Sequence, residues 1–201
     1  MNRRIKIDPL AAAALLYLLW IERSVWALLS LAAAAFHELG HLLMAAVLHI
    51  PIKRMTIGVF GAQVALENRL LSYREELLLA AAGPAMNLIL LVFCIIWHRR
   101  APNEHLLGFA AASFALALVN LLPIRCLDGG RILYCAAAQY FDEAVAETVL
   151  RVCSAVGSML IWLAASSLWL VSAGNLSLLV ISCLLLWRIV RDNFGGMCQN
   201  E

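Results

Sequence analysis

The chain has 201 residues, 64% of them hydrophobic, a mean hydropathy of +0.86 and a formal net charge of +2. Soluble domains are about half apolar, so this composition points to a membrane protein with several crossings. The near-neutral balance gives no electrostatic footprint for nucleic acid, and no nucleic-acid partner is expected.

In chain order, six apolar segments are expected to cross the bilayer. The first covers about residues 9–22, after Arg3, Arg4 and Lys6; at 14 residues it is short for a span and is expected to start earlier or to tilt. These flanks resemble a signal peptide, but Asp8-Pro9 interrupts the boundary and no cleavage site follows, so removal is not expected. The second covers about 25–49. Residues 51–67, PIKRMTIGVFGAQVALE, are rich in β-formers with Gly58 and Gly61 near the middle, and predict a short re-entrant β-hairpin. An ordinary surface hairpin is the alternative. The remaining spans are expected at about 74–98, 104–122, 143–172 and 176–191. The fold class is therefore an all-α polytopic membrane protein with six transmembrane helices and a short re-entrant β-hairpin after the second, forming a single domain over 1–201. No loop has the length of a PDZ or nucleotide-sensing module.

Orientation follows from Lys and Arg placement. Six spans put both termini on one side, which holds Arg3, Arg4, Lys6, Lys53, Arg54, Arg69, Arg74, Arg125, Arg131, Arg188 and Arg191. The opposite side holds Arg23, Arg99 and Arg100, and Arg151 lies within the fifth segment. Both termini are thus expected in the cytoplasm, with the cytoplasmic half of the second span carrying the stretch considered next.

That stretch is His37-Glu38-Leu39-Gly40-His41. Two histidines four apart share one helix face, where both rings reach a single Zn²⁺. Glu38 beside them has the chemistry to take a proton from a metal-activated water. A mid-membrane acid alone costs on the order of 3 kcal/mol, so such groups are rarely kept without a role. A pair of histidines hydrogen-bonded inside a bundle is the structural alternative. A catalytic zinc site needs a third protein ligand. His49 sits at the membrane edge, and His98 and His105 fall on the opposite side. Asp128, in Leu127-Asp128-Gly129-Gly130-Arg131, follows a helix break at Pro123 and is the best candidate. Its alternative role is to cap a helix beginning near Arg131. The cysteines, 94, 126, 135, 153, 183 and 198, form no C-x-x-C pair and read as small packing residues.

Taken together, the HELGH stretch, Gly83-Pro84-Ala85-Met86-Asn87, and Asn120-Leu121-Leu122-Pro123 followed by Leu127-Asp128-Gly129 resemble the site-2 proteases, intramembrane zinc metalloproteases. The six-span layout is most similar to the branch of stage IV sporulation protein FB, without the C-terminal nucleotide-binding module of that branch. The resemblance implies His37, His41 and Asp128 as zinc ligands, Glu38 as the catalytic acid/base, Asn120 as a substrate-binding residue and residues 51–67 as a re-entrant loop. It implies a transmembrane protein substrate, a lipid bilayer as the site of action and a multi-pass location in a bacterial cell membrane. Asn87 and Asn120 also have a structural alternative, since a lone membrane Asn often hydrogen-bonds a neighbouring helix. Where the family often has Pro two residues before its ligand Asp, this chain has Cys126. A functional alternative of another class is a catalytically silent membrane-binding protein with a structural zinc site. The first and sixth spans are expected to form the substrate gate.

Overall fold

Ser24 starts the first described helix: its backbone is extended, and its hydroxyl accepts a hydrogen bond from the Trp26 amide at 3.2 Å. In this computed structural model the described residues are 4–7, 24–50, 52–58, 61–66 and 71–172. The first and sixth expected spans, at about 9–22 and 176–191, lie outside the described residues, and so does the expected gate. The described elements are β1 (Arg4–Ile7), α1 (Val25–Val47), β2 (Ile52–Gly58), β3 (Gly61–Leu66), α2 (Tyr73–Arg100), α3 (Glu104–Asn120), α4 (Asp128–Ala138) and α5 (Glu143–Ser172). They fall into two units, Met1–Asn120 and Leu121–Glu201.

In the first unit, α1 ends in a left-handed cap. His49 has φ 53, the Ile50 amide bonds the Ala45 carbonyl at 2.9 Å, and the His49 amide bonds the Ala46 carbonyl at 3.1 Å. These crossed bonds satisfy the last carbonyls of the helix, and Ile50 folds back against Ala45 and Leu79 in a small apolar core. Glycine or asparagine is usual at this conformation; a histidine holds it here. Backbone pairing then runs β2 antiparallel to β3 and β1 parallel to β2, in the order β1-β2-β3. The pairing of Arg4–Ile7 was not anticipated from the sequence, because four residues carry too little periodicity to declare a strand.

α2 opens with a reciprocal cap. Ser72 Oγ accepts from the Glu75 amide at 3.3 Å, and the Ser72 amide donates to Glu75 Oε2 at 3.0 Å. Glu75 and Glu76 in its first turn and His98, Arg99 and Arg100 in its last complement the helix dipole. Asn103 opens α3, its Oδ1 accepting from the His105 amide at 2.9 Å. α2 packs on both α1 and α3, with small residues buried along the contacts: Ala33, Gly40, Ala80, Ala82, Gly83, Ala110, Ser113 and Ala117. Small side chains let apolar helices approach closely, which is how helices associate where lipid removes the hydrophobic drive. Leucine, isoleucine and phenylalanine side chains such as Leu28, Leu43, Ile89 and Phe93 point outward. A large apolar exterior with a small-residue interior is the pattern of a lipid-facing bundle.

Among the described residues, α1, α2 and residues Glu143–Ala164 of α5 are long and apolar enough to cross a membrane. They match the second, third and fifth expected spans. α3, with 17 residues, is at the lower limit of about 17 for crossing.

In the second unit, the loop 121–127 is anchored to α5. Ile124 is fully buried, its side chain lying close beside Gly157. The Arg125 amide donates to Ser154 Oγ at 2.9 Å, and the Arg125 guanidinium pairs with Glu147. Gly129 and Gly130 open α4 under this loop. A β-carbon at either would overlap backbone carbonyls, those of Leu121 and Leu122 at Gly129 and that of Ile124 at Gly130. The two glycines thus permit a tight backbone approach. The helix was expected near Arg131 but begins three residues earlier, because Gly129 and Gly130 take helical backbone while keeping that approach.

Candidate metal centre

His37 and His41 occupy one face of α1, a turn apart, as their spacing requires. His37 is 5% exposed and His41 half-buried. Their rings meet edge to face, with centroids 4.9 Å apart and an interplanar angle of 82°. Nε2 of one lies 3.2 Å from Nε2 of the other.

The face of α2 that meets these rings carries Leu79, Gly83 and Asn87, each four residues after the last. The Leu79 carbonyl accepts a hydrogen bond from His41 Nδ1 at 2.8 Å. A carbonyl only accepts, so Nδ1 carries the proton of a neutral His41 and Nε2 holds a lone pair. Gly83 supplies the room: a β-carbon there would overlap the His41 ring at Nε2 and stand 2.8 Å from His37 Cε1. Gly40, between the two histidines, permits the same closeness from the other side, since a β-carbon there would meet the Ala82 carbonyl oxygen at 2.5 Å. Pro84 follows Gly83 inside the helix and cannot donate to the Ala80 carbonyl, which loosens the helix where it passes the rings. Asn87 is fully buried, with Nδ2 3.4 Å from His37 Nδ1.

This donor set fits a zinc ion. Two imidazole nitrogens at the usual Zn–N distance in a tetrahedral arrangement lie about 3.3–3.4 Å apart, close to the separation found. A carbonyl partner on Nδ1 is also the usual outer support of a histidine ligand.

Glu38, next to His37, is half-buried on α1. Asn120, the last residue of α3, is half-buried and donates from Nδ2 to the Leu116 carbonyl at 3.0 Å. Its structural alternative therefore takes a local form: a bond within its own helix, not across to a neighbour. Asp128 belongs to the second unit. Leu127, in extended conformation, is the N-cap of α4 and Asp128 is the first helical residue. The capping role left open for Asp128 is therefore taken by a residue whose side chain makes no cap hydrogen bond. Cys126 and Cys153 are half-buried, and Cys94 and Cys135 are buried. Leu79 and Gly83 escaped attention as site residues. A backbone carbonyl leaves no trace in side-chain identity, and Gly83 beside Pro84 reads as a kink or a point of close helix packing, not as part of a site.

Known proteins are similar to this chain in sequence and in fold. Residues 98–164 match the model of Peptidase family M50. A Synechocystis protein named as a zinc metalloprotease, sll0528, is 31% identical over 189 residues, which is 90% of this chain and 48% of that protein. Stage IV sporulation protein FB of Bacillus subtilis is 36% identical over 104 residues, 49% of this chain and 35% of that protein. The chain thus spans about half the length, or less, of these relatives. The fold is similar to that of the site-2 protease from Methanocaldococcus jannaschii, with a TM-score of 0.65 at 20% identity, covering 95% of this chain and 91% of that one. The chain is thus similar to Peptidase family M50 over residues 98–164, and to a site-2 protease in fold over most of its length.

Proposed function

We propose that the protein is an intramembrane zinc endopeptidase that cuts membrane-spanning protein substrates. The observation that carries this reading is the pair of facing Nε2 atoms on an apolar helix, with a carboxylate beside them. His37, His41 and Asp128 hold the metal. The support for Asp128 is its residue type and its place directly after the anchored 121–127 loop, in a stretch that resembles the family's third-ligand motif. When bound, Zn²⁺ supplies Lewis acidity that polarises a carbonyl and brings the pKa of water towards neutrality.

Glu38 is the general base. It takes a proton from the attacking water and returns it to the leaving amide nitrogen, so one carboxylate serves both halves of the reaction. A helical substrate hides its carbonyls in internal hydrogen bonds and must unwind locally before attack. The unwound backbone needs new partners at membrane depth, and β3, an edge strand in the order found, offers them as a re-entrant hairpin with β2. Asn120, at the end of α3, holds the substrate beside the bond to be cut. The protein acts as one membrane domain of six spans, with both termini and the water path to the site on the cytoplasmic side of a bacterial cell membrane.

The test is purified full chain, wild type and Glu38→Gln, reconstituted with a single-span membrane peptide. Glu38→Gln is expected to keep zinc and lose cleavage by about 10²–10⁴-fold or more. Near-normal turnover in Glu38→Gln would overturn the mechanism. Zinc bound with no cleavage of any membrane peptide by wild type would favour a binding protein with a structural zinc.

A further inference from the structure

Asn87 sits beside Nδ1 of His37. It is fully buried, and its Oδ1 has no hydrogen-bond partner among the described residues. An unsatisfied buried acceptor is destabilising. Its amide nitrogen lies 3.4 Å from His37 Nδ1, long for a hydrogen bond.

The two ends of a carboxamide have almost the same shape, so turning the group end for end leaves the packing unchanged and exchanges donor for acceptor. The two orientations have opposite chemical consequences. With Nδ2 facing the ring, the amide donates to Nδ1, and a neutral His37 then carries its proton on Nε2, where it blocks ligation. With Oδ1 facing the ring, Nδ1 must carry the proton, because Oδ1 only accepts. The buried oxygen is then satisfied, and Nε2 presents a lone pair towards His41 Nε2.

The second orientation gives His37 the arrangement that the Leu79 carbonyl already gives His41. Both rings then present lone pairs across 3.2 Å, a repulsive contact that a cation between them relieves.

We propose that Asn87 is a positioning residue of the metal centre: its Oδ1 accepts from Nδ1–H of His37 and holds that ring in the tautomer that ligates through Nε2. This rests on His37 and His41 being metal ligands. Leu79, Gly83 and Asn87 then form one device on one helix face, two acceptors flanking a gap left for the rings. The spacing of Gly83 and Asn87, one helical turn, follows from that geometry.

The test uses the full chain in detergent with ¹⁵N-labelled histidine, His37→Ala identifying the His37 signals. In zinc-free wild type, His37 is expected to show a protonated Nδ1 and a bare Nε2; the reverse pattern overturns the proposal by itself, with no variant needed. Asn87→Asp keeps an acceptor and is expected to bind zinc within about threefold of wild type. Asn87→Leu keeps the volume and loses the acceptor, and is expected to weaken zinc binding by about 10–100-fold, the usual effect of removing an outer partner. Zinc binding unchanged in Asn87→Leu, or weakened as much in Asn87→Asp, overturns the proposal. Should Asn87→Leu fail to fold by circular dichroism, the wild-type ring signals decide. A wild-type chain that binds no zinc at all defeats instead the metal-site reading on which the proposal rests.

Discussion

Nε2 of His37 faces Nε2 of His41 at 3.2 Å, and the His41 ring is held there by the carbonyl of Leu79 on a different helix. The first relation is set by spacing on α1. The second depends on α2 lying close enough to touch the rings, and that closeness depends on Gly83.

Gly83→Ala sets two effects against each other. Alanine improves helix propensity by about 1 kcal/mol over glycine. Its methyl group would overlap the His41 ring, and overpacking of this kind costs about 1–3 kcal/mol. The clash falls on a rigid ring between two packed helices, so it is expected to win. Thermal unfolding should show a loss of stability, and metal titration a weaker zinc site. An equally stable Gly83→Ala with normal zinc would mean that the helices separate at little cost.

Asp128→Ala tests the third ligand. Zinc content is expected to fall and cleavage to disappear, while the helical content stays, because Leu127 and not Asp128 is the N-cap of α4. Full zinc occupancy with undiminished activity would rule the ligand out.

His49→Gly is expected to stabilise the protein by about 1 kcal/mol. His49 holds φ 53 at the end of α1, a conformation that costs an L-residue roughly 1–2 kcal/mol and glycine almost nothing. Valine at the same position should destabilise, since a branched β-carbon tolerates this region worst. Denaturant midpoints of the two variants check the sign; the opposite order would mean that the His49 side chain outweighs its backbone.

Proline scanning through Gly61–Leu66 tests substrate pairing at β3. Proline removes a backbone donor. At positions whose amide points away from β2 it should weaken cleavage while leaving zinc bound. If cleavage survives at every such position, the substrate does not pair with this strand.

Much of the arrangement is determined by the sequence alone. The apolar runs fix where α1, α2 and α5 lie, because helix length in a bilayer is a matter of counting residues. The His37–His41 spacing fixes that two rings share a face, because the helix period is a property of the backbone. Asn120 and Asp128 could be singled out by residue type and context, but their roles in catalysis do not follow from type alone.

The tertiary structure decided what surrounds the rings. That Leu79 offers a carbonyl to His41, that the close approach at Gly83 is to the two histidine rings, and that Asn87 reaches His37 all depend on the distance between α1 and α2. The left-handed turn at His49 and the strand at Arg4–Ile7 were also decided there. In each case the determining contact is made by backbone atoms, or by a side chain distant in sequence. Neither leaves a periodic mark on the chain, so folding had to bring the partners together before their chemistry could be read.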